Sequence, residues 1–300
     1  MRRQIFNEAV LSKADGTTIA YLYKCRQFFA WIKEMCTDIK LPIQEEVIAA
    51  YFVQLKEKAN SNSVLTSAAA AIKWVHTLVN AKINPVDPPI VQQILVSARR
   101  QLHKPPIQKE PITLEQVKRI VDQLGGADNT LMELRTACYV SLKFALLFRH
   151  DEMVQIKASH IEELPNNKGF SIFIPRSKTD IFREGNKAYL SDTHTSYSPV
   201  AILRNFMSRS SVTIGQDVHL FTALSYHPSI KMYKPHVNKP LSYTRCRELF
   251  IDALKLIGIQ NPKIYGLHSL RSGGASHLAN KGVIQRYKSE TLIEQVKDIF

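Results

Sequence analysis

Apolar residues at 19, 22, 25, 29, 32 and 36 recur at the three-and-four spacing of a helix with one buried face, with Thr17 or Thr18 placed to cap it. The same period runs through 44–58 (QEEVIAAYFVQLKEK), 63–80 (SVLTSAAAAIKWVHTLVN) and 88–102 (PPIVQQILVSARRQL). The last opens on a proline pair, which suits a first turn because proline has no N–H to leave unpaired. Residues 1–102 thus read as one helical domain. The period breaks at HKPPIQKEPI, 103–112, where three prolines and no apolar repeat read as an interdomain linker.

A second domain, 113–300, begins with Thr113 and Gln116 in a capping-box pattern for a helix through about 124. Residues 130–149 (TLMELRTACYVSLKFALLFR) read as a long, mostly buried helix ending at Arg149. The one clear β region is FSIFI at 170–174 and KAYL at 187–190, a hairpin joined by the basic stretch PRSKTDIFREGN. Pro199 opens a helix through about 209, Ser242 caps another that ends at Gly258, and GLHSLRSGGASHLANKG at 266–282 makes one that stops at Gly282. The expected class is mainly α with a small β-sheet or hairpin, α+β.

Composition narrows the partner. Lys plus Arg number 40 against 26 Asp plus Glu, a net charge of +14, which favours a polyanion, nucleic acid first. An anionic membrane surface is the rival, but there is no basic amphipathic helix with the bulky apolar face that surface binding needs. No apolar run reaches membrane-spanning length, and MRRQIFNEAV has no secretory pattern, so an intracellular location is expected. Cys25, Cys36, Cys138 and Cys246 lack CxxC spacing, which argues for buried thiols rather than a disulfide framework or a zinc site.

Three features could carry chemistry. His268 and Arg271, at i and i+3, share a helix face and can both point at one small anion, although an isolated HxxR fits a capping histidine and a solvated arginine as well. Arg149 closes an apolar stretch, where a charge needs an anion, an acidic partner such as Glu152, or the C-terminal end of the helix dipole. Lys178 enters the basic hairpin tip with Arg176 and Arg183 beside it, suited to phosphate or to solvent.

Taken in order, Arg with Glu three later, Lys on a hairpin, and HxxR on a helix rich in small residues, the chain resembles the tyrosine recombinases, the phage-integrase family of DNA strand-transfer enzymes. YKCRQFFAWIKE is similar to part of the family's core-binding domain and 110–282 to its catalytic domain. FRHDEMVQI, IPRSKTDIFREGN and LHSLRSGGASHLANKGV are most like recombinases of eukaryotic mobile elements of the DIRS and Crypton kind. The resemblance implies strand breakage and rejoining, as in DNA integration and recombination, through a 3′-phosphotyrosyl link, with no metal, ATP or other small-molecule cofactor. It makes Arg149 and Arg271 clamps on the non-bridging oxygens, His268 a hydrogen-bond donor or proton acceptor, Lys178 the acid for the leaving 5′-oxygen, and Glu152 the holder of Arg149. The implied partners are double-stranded DNA, clamped by the two domains from opposite sides, and further copies of the chain assembled on it. Arg99, Arg100 and Lys104 are the expected contacts of the first domain, and Arg176 and Arg183 of the second.

The family pattern continues with a helix carrying a second histidine or a tryptophan, then the nucleophilic tyrosine. Here the chain reads VIQRYKSETLIEQVKDIF, in which KSE matches and no tyrosine stands near VKD. Tyr287 is then the candidate nucleophile. The alternative expectation is a recombinase fold, incomplete at its C-terminus, that binds DNA without cutting it.

Overall fold

The computed structural model describes residues 2–35, 40–105, 107–178, 180, 183–230 and 232–282. The chain divides into two units, Met1–Ile107 and a second from Gln108 onward. In the first, α1 (Arg2–Leu11), α2 (Asp15–Met35), α3 (Glu45–Lys58), α4 (Asn62–Leu78) and α5 (Pro89–Gln101) surround Phe28, Ile32, Ile48, Phe52, Leu65 and Ile72. Fully buried Ala68 and Ala71 on α4 leave room for α2, which packs closely against it. Buried His76 fixes the loop before α3: its Nε2 accepts the Ile43 N–H at 3.1 Å while Nδ1 donates to the Ile72 carbonyl at 2.7 Å. Both bonds require a neutral ring.

The pattern of apolar positions did not reveal α1. Helix α2 also begins earlier than expected, because the Ala14 carbonyl already accepts the Thr17 and Thr18 N–H groups at 2.8 and 3.0 Å, so both threonines lie in the first turn rather than capping it. Cys25, Cys138 and Cys246 are buried free thiols, and Cys36 lies outside the described residues.

The second unit contains α6 (Leu114–Leu124), α7 (Leu131–Ala145), α8 (His150–Val154), β1 (Ile161–Glu163), β2 (Gly169–Ile174), β3 (Asn186–Ser191), α9 (Pro199–Ser210), β4 (Thr222–His227), β5 (Met232–Pro240), α10 (Tyr243–Leu256) and α11 (Leu267–Asn280). Helix α7 is the centre, with α6, α9, α10 and α11 packed on it. Reciprocal capping boxes start α6 at Thr113 and Gln116 and α7 at Thr130 and Glu133. Strands β1, β2 and β3 form an antiparallel sheet in that order, with Phe170 opposite Leu190 and Ile172 opposite both Ile161 and Ala188. The architecture is mainly helical with small antiparallel sheets, the expected class.

Three expectations change. The helix expected over 130–149 stops at Ala145, and Leu147 takes a left-handed φ of 54° that turns the chain. Arg149 therefore precedes the first turn of α8 instead of ending α7, because the Glu152 carboxylate accepts its backbone N–H at 2.7 Å. A second hairpin, β4 with β5, joins the expected one. Its sequence, with Pro235 and Pro240 and little apolar alternation, hides it from a period-two reading. Residues 109–112 of the expected linker are docked: Glu110 N–H reaches the Ile264 carbonyl at 3.0 Å, Ile112 N–H the Ser269 carbonyl at 3.1 Å, and the Ile112 side chain is buried.

Candidate functional site

Two glycines bring α11 into place. A Cβ on Gly274 would stand 2.2 Å from the Phe144 carbonyl oxygen of α7, and one on Gly273 would stand 2.1 Å from that of Ile112. Only glycine permits both approaches, so SGGAS at 272–276 is a packing surface. It sets Arg271 against the 146–149 turn, where its Nη1 donates to the Leu147 carbonyl. Leu147 is buried with positive φ, a conformation costing a non-glycine residue about 1–2 kcal/mol, held here by surrounding bonds.

Glu152 joins the two arginines. Its Oε1 accepts from Arg149 Nη1 at 2.8 Å, and its Oε2, besides taking the Arg149 N–H, stands 4.0 Å from Arg271 Nη1. The carboxylate is 7% exposed, whereas the side chains of Arg149 and Arg271 are 34% and 22% exposed. One acid thus holds two cations whose other N–H groups have no partner among the described residues. The cluster carries excess positive charge at its open side, an arrangement suited to an anion with several oxygens.

A third cation lies beneath. Lys143, 1% exposed on α7, donates from Nζ to the Phe148 carbonyl at 2.7 Å. Burial pushes its pKa down to about 8, Glu152 opposing the shift and Arg271 adding to it. The sequence reading missed Lys143; its signal was a lysine inside the apolar run VSLKFALL.

His268 stands exposed on the first turn of α11, one turn before Arg271. Lys178 is exposed between β2 and β3, in a turn where the Asp180 N–H reaches the Ser177 carbonyl at 3.2 Å. The Asp180 carboxylate closes the loop by accepting the N–H groups of Glu184 at 3.0 Å and Gly185 at 2.9 Å. Among the described residues, no hydrogen bond or ion pair links Lys178 or His268 to the arginine pair. Arg176 and Arg183 are exposed on the same connection, and Arg99, Arg100 and Lys104 are exposed at and after the end of α5. Tyr287 lies outside the described residues. Among those residues no group of His, Cys, Asp and Glu could hold a metal ion, and no helix is long and apolar enough to cross a membrane.

No family model and no curated protein sequence matches the chain. Solved structures do. The site-specific recombinase XerH, bound to a palindromic difH substrate, aligns over 88% of this chain and 69% of its own with a TM-score of 0.58 and 15% identity. The Tn1549 transposon integrase, in complex with transposon right end DNA, aligns over 98% of this chain and 90% of its own, with a TM-score of 0.57 and 12% identity. A lambda integrase dimer bound to a COC′ core site aligns over 94% and 88%, with a TM-score of 0.50 and 16% identity. At such identities the likeness is one of fold, and it extends over both units of the chain.

Proposed function

We propose that this chain is a DNA-binding strand-transfer protein of the tyrosine recombinase kind, of the DIRS and Crypton type, acting in the nucleus in integration or recombination of a mobile element. The observation that carries the reading is the pair of partly exposed guanidinium groups held by one buried carboxylate, on a fold shared with recombinases solved on DNA. Arg149 and Arg271 would grip the non-bridging oxygens of the scissile phosphate and stabilise the charge that grows on them in the transition state. A tyrosine oxygen, with Tyr287 as candidate, would form the bond to phosphorus as the bond to the 5′-oxygen breaks. His268 would take the tyrosine proton and Lys178 would supply one to the leaving oxygen. Attack by a 5′-hydroxyl on the phosphotyrosyl link reverses these transfers and rejoins the strand.

Arg99, Arg100 and Lys104 on the first unit, and Arg176 and Arg183 on the second, add phosphate contacts that hold the duplex as copies of the chain assemble on it. The domain division we propose is 1–102 for the core-binding part, 103–112 for the connector, whose last residues dock on the catalytic part, and 113–300 for the catalytic part. The test is a suicide-substrate assay on nicked DNA carrying candidate element ends, run beside Tyr287→Phe and Arg271→Ala. A covalent protein–DNA band that both substitutions abolish supports strand transfer. Salt-sensitive binding without a band, at every site supplied, assigns the fold to binding alone; binding that is absent or indifferent to salt overturns the reading.

A further inference from the structure

We propose that Lys143 is a positioning residue for the arginine pair, its buried ammonium holding the turn from which Arg149 projects and to which Arg271 is tied. The inference rests on the phosphate-clamp reading above and adds to it a residue that touches no substrate.

The 146–149 turn has two consecutive carbonyls fixed by cations from different helices. Leu147 gives its oxygen to Arg271 of α11 and Phe148 gives its oxygen to Lys143 of α7. Between them the chain passes through the left-handed Leu147 and arrives at Arg149 in extended conformation, φ −67° and ψ 161°. A turn carrying an unfavourable φ in a buried place keeps it only while such bonds over-determine it. Without the Lys143 bond, the Phe148 carbonyl, one residue before Arg149, would have no side-chain donor among the described residues. The direction of the Arg149 side chain would then rest on Glu152 alone.

Burying a lysine ammonium is costly unless hydrogen bonds and opposite charge compensate it, as the Phe148 carbonyl and Glu152 do here. The charged and titratable groups that act on it are His150, Asp151 and Glu152 of α8, Cys246 of α10 and Arg271 of α11; α6 and α9, also packed on α7, add none. With a pKa of about 8, the ammonium is lost over a range in which its displaced neighbours do not titrate, since burial raises the Cys246 thiol to about 11 and lowers His150 below its ordinary 6.5. A phosphate drawn to the arginines favours the protonated lysine beneath them, so binding and protonation are linked.

The experiment is fluorescence anisotropy of the full chain with a labelled random-sequence duplex, at about pH 7 and about pH 9, either side of the Lys143 pKa. Wild type is compared with Lys143→Met, Arg271→Ala and the double variant, each checked for native circular dichroism. Lys143→Gln, which keeps a neutral donor, stands in if the methionine variant fails to fold. We expect Lys143→Met to weaken binding on the order of 5-fold near pH 7 and Arg271→Ala at least about 10-fold. The double variant should lose less than the sum of the two single losses, because Lys143 acts through the same turn that Arg271 ties. Wild type should fall toward Lys143→Met as the pH rises, and Lys143→Met should stay level. Additive losses, or a methionine variant with wild-type affinity and wild-type pH dependence, overturn the positioning role while the weakened Arg271→Ala leaves the clamp standing. Should Arg271→Ala bind like wild type, the clamp itself is wrong and the role of Lys143 falls with it.

Discussion

Glu152 takes a backbone N–H, one guanidinium and the near approach of a second, all from a nearly buried position, so it cannot be removed without leaving uncompensated positive charge. Glu152→Ala should lower the unfolding free energy of the second unit by about 2–3 kcal/mol, read by urea denaturation. Glu152→Gln should cost less, since its amide oxygen can still accept the Arg149 N–H. His76 makes the opposite case, a group whose charge must stay off. Burial holds its pKa below the ordinary 6.5, against the hydrogen bond to the Ile72 carbonyl. Its contribution is therefore fully present above about pH 6.5, where the unfolded ring is also neutral, and is lost as the pH falls toward the lower folded value. Denaturation of the first unit should show that acid-side loss, and His76→Gln should flatten it.

At the scale of elements, the close passage of α11 over α7 is the feature most exposed to mutation. Gly274→Ala puts a methyl 2.2 Å from a backbone oxygen that cannot swing away, and should destabilise the second unit by about 1–3 kcal/mol while weakening DNA binding, because α11 carries Arg271. Melting temperature and anisotropy on one preparation check both. This scale also separates what the chain declares locally from what it does not. The starts of α6 and α7 are legible because Thr113 with Gln116 and Thr130 with Glu133 cap within four residues. Arg149 and Glu152 are legible as an i,i+3 pair for the same reason. The break at 146–149 is not, because α11 and a lysine in the preceding helix fix it, and a lysine in an apolar run also fits a side chain that lays its stem on the core and its charge in water. The β4–β5 hairpin escapes because β4 buries only its first residue, Thr222, and β5 carries two prolines.

For the whole molecule, the two cores have no residue in common: one centres on Phe28, Phe52 and Ile72, the other on α7. Calorimetry should therefore resolve two transitions, and Ile72→Ala, which empties a fully buried position, should lower one of them by about 3 kcal/mol and leave the other in place. The cation excess of the complete chain adds a second expectation, that DNA affinity falls by orders of magnitude between about 50 and about 200 mM salt.

The docking of 109–112 makes the backbone itself part of the frame around α11. The connector meets the second unit at Lys263, Ile264 and Ser269, around the first turn of α11, before it reaches α6. Residues 109–112 are thereby fastened beside the N-terminal end of the helix that bears His268 and Arg271. The backbone of that short segment is thus a strap across the start of α11, laid down before the chain turns into α6.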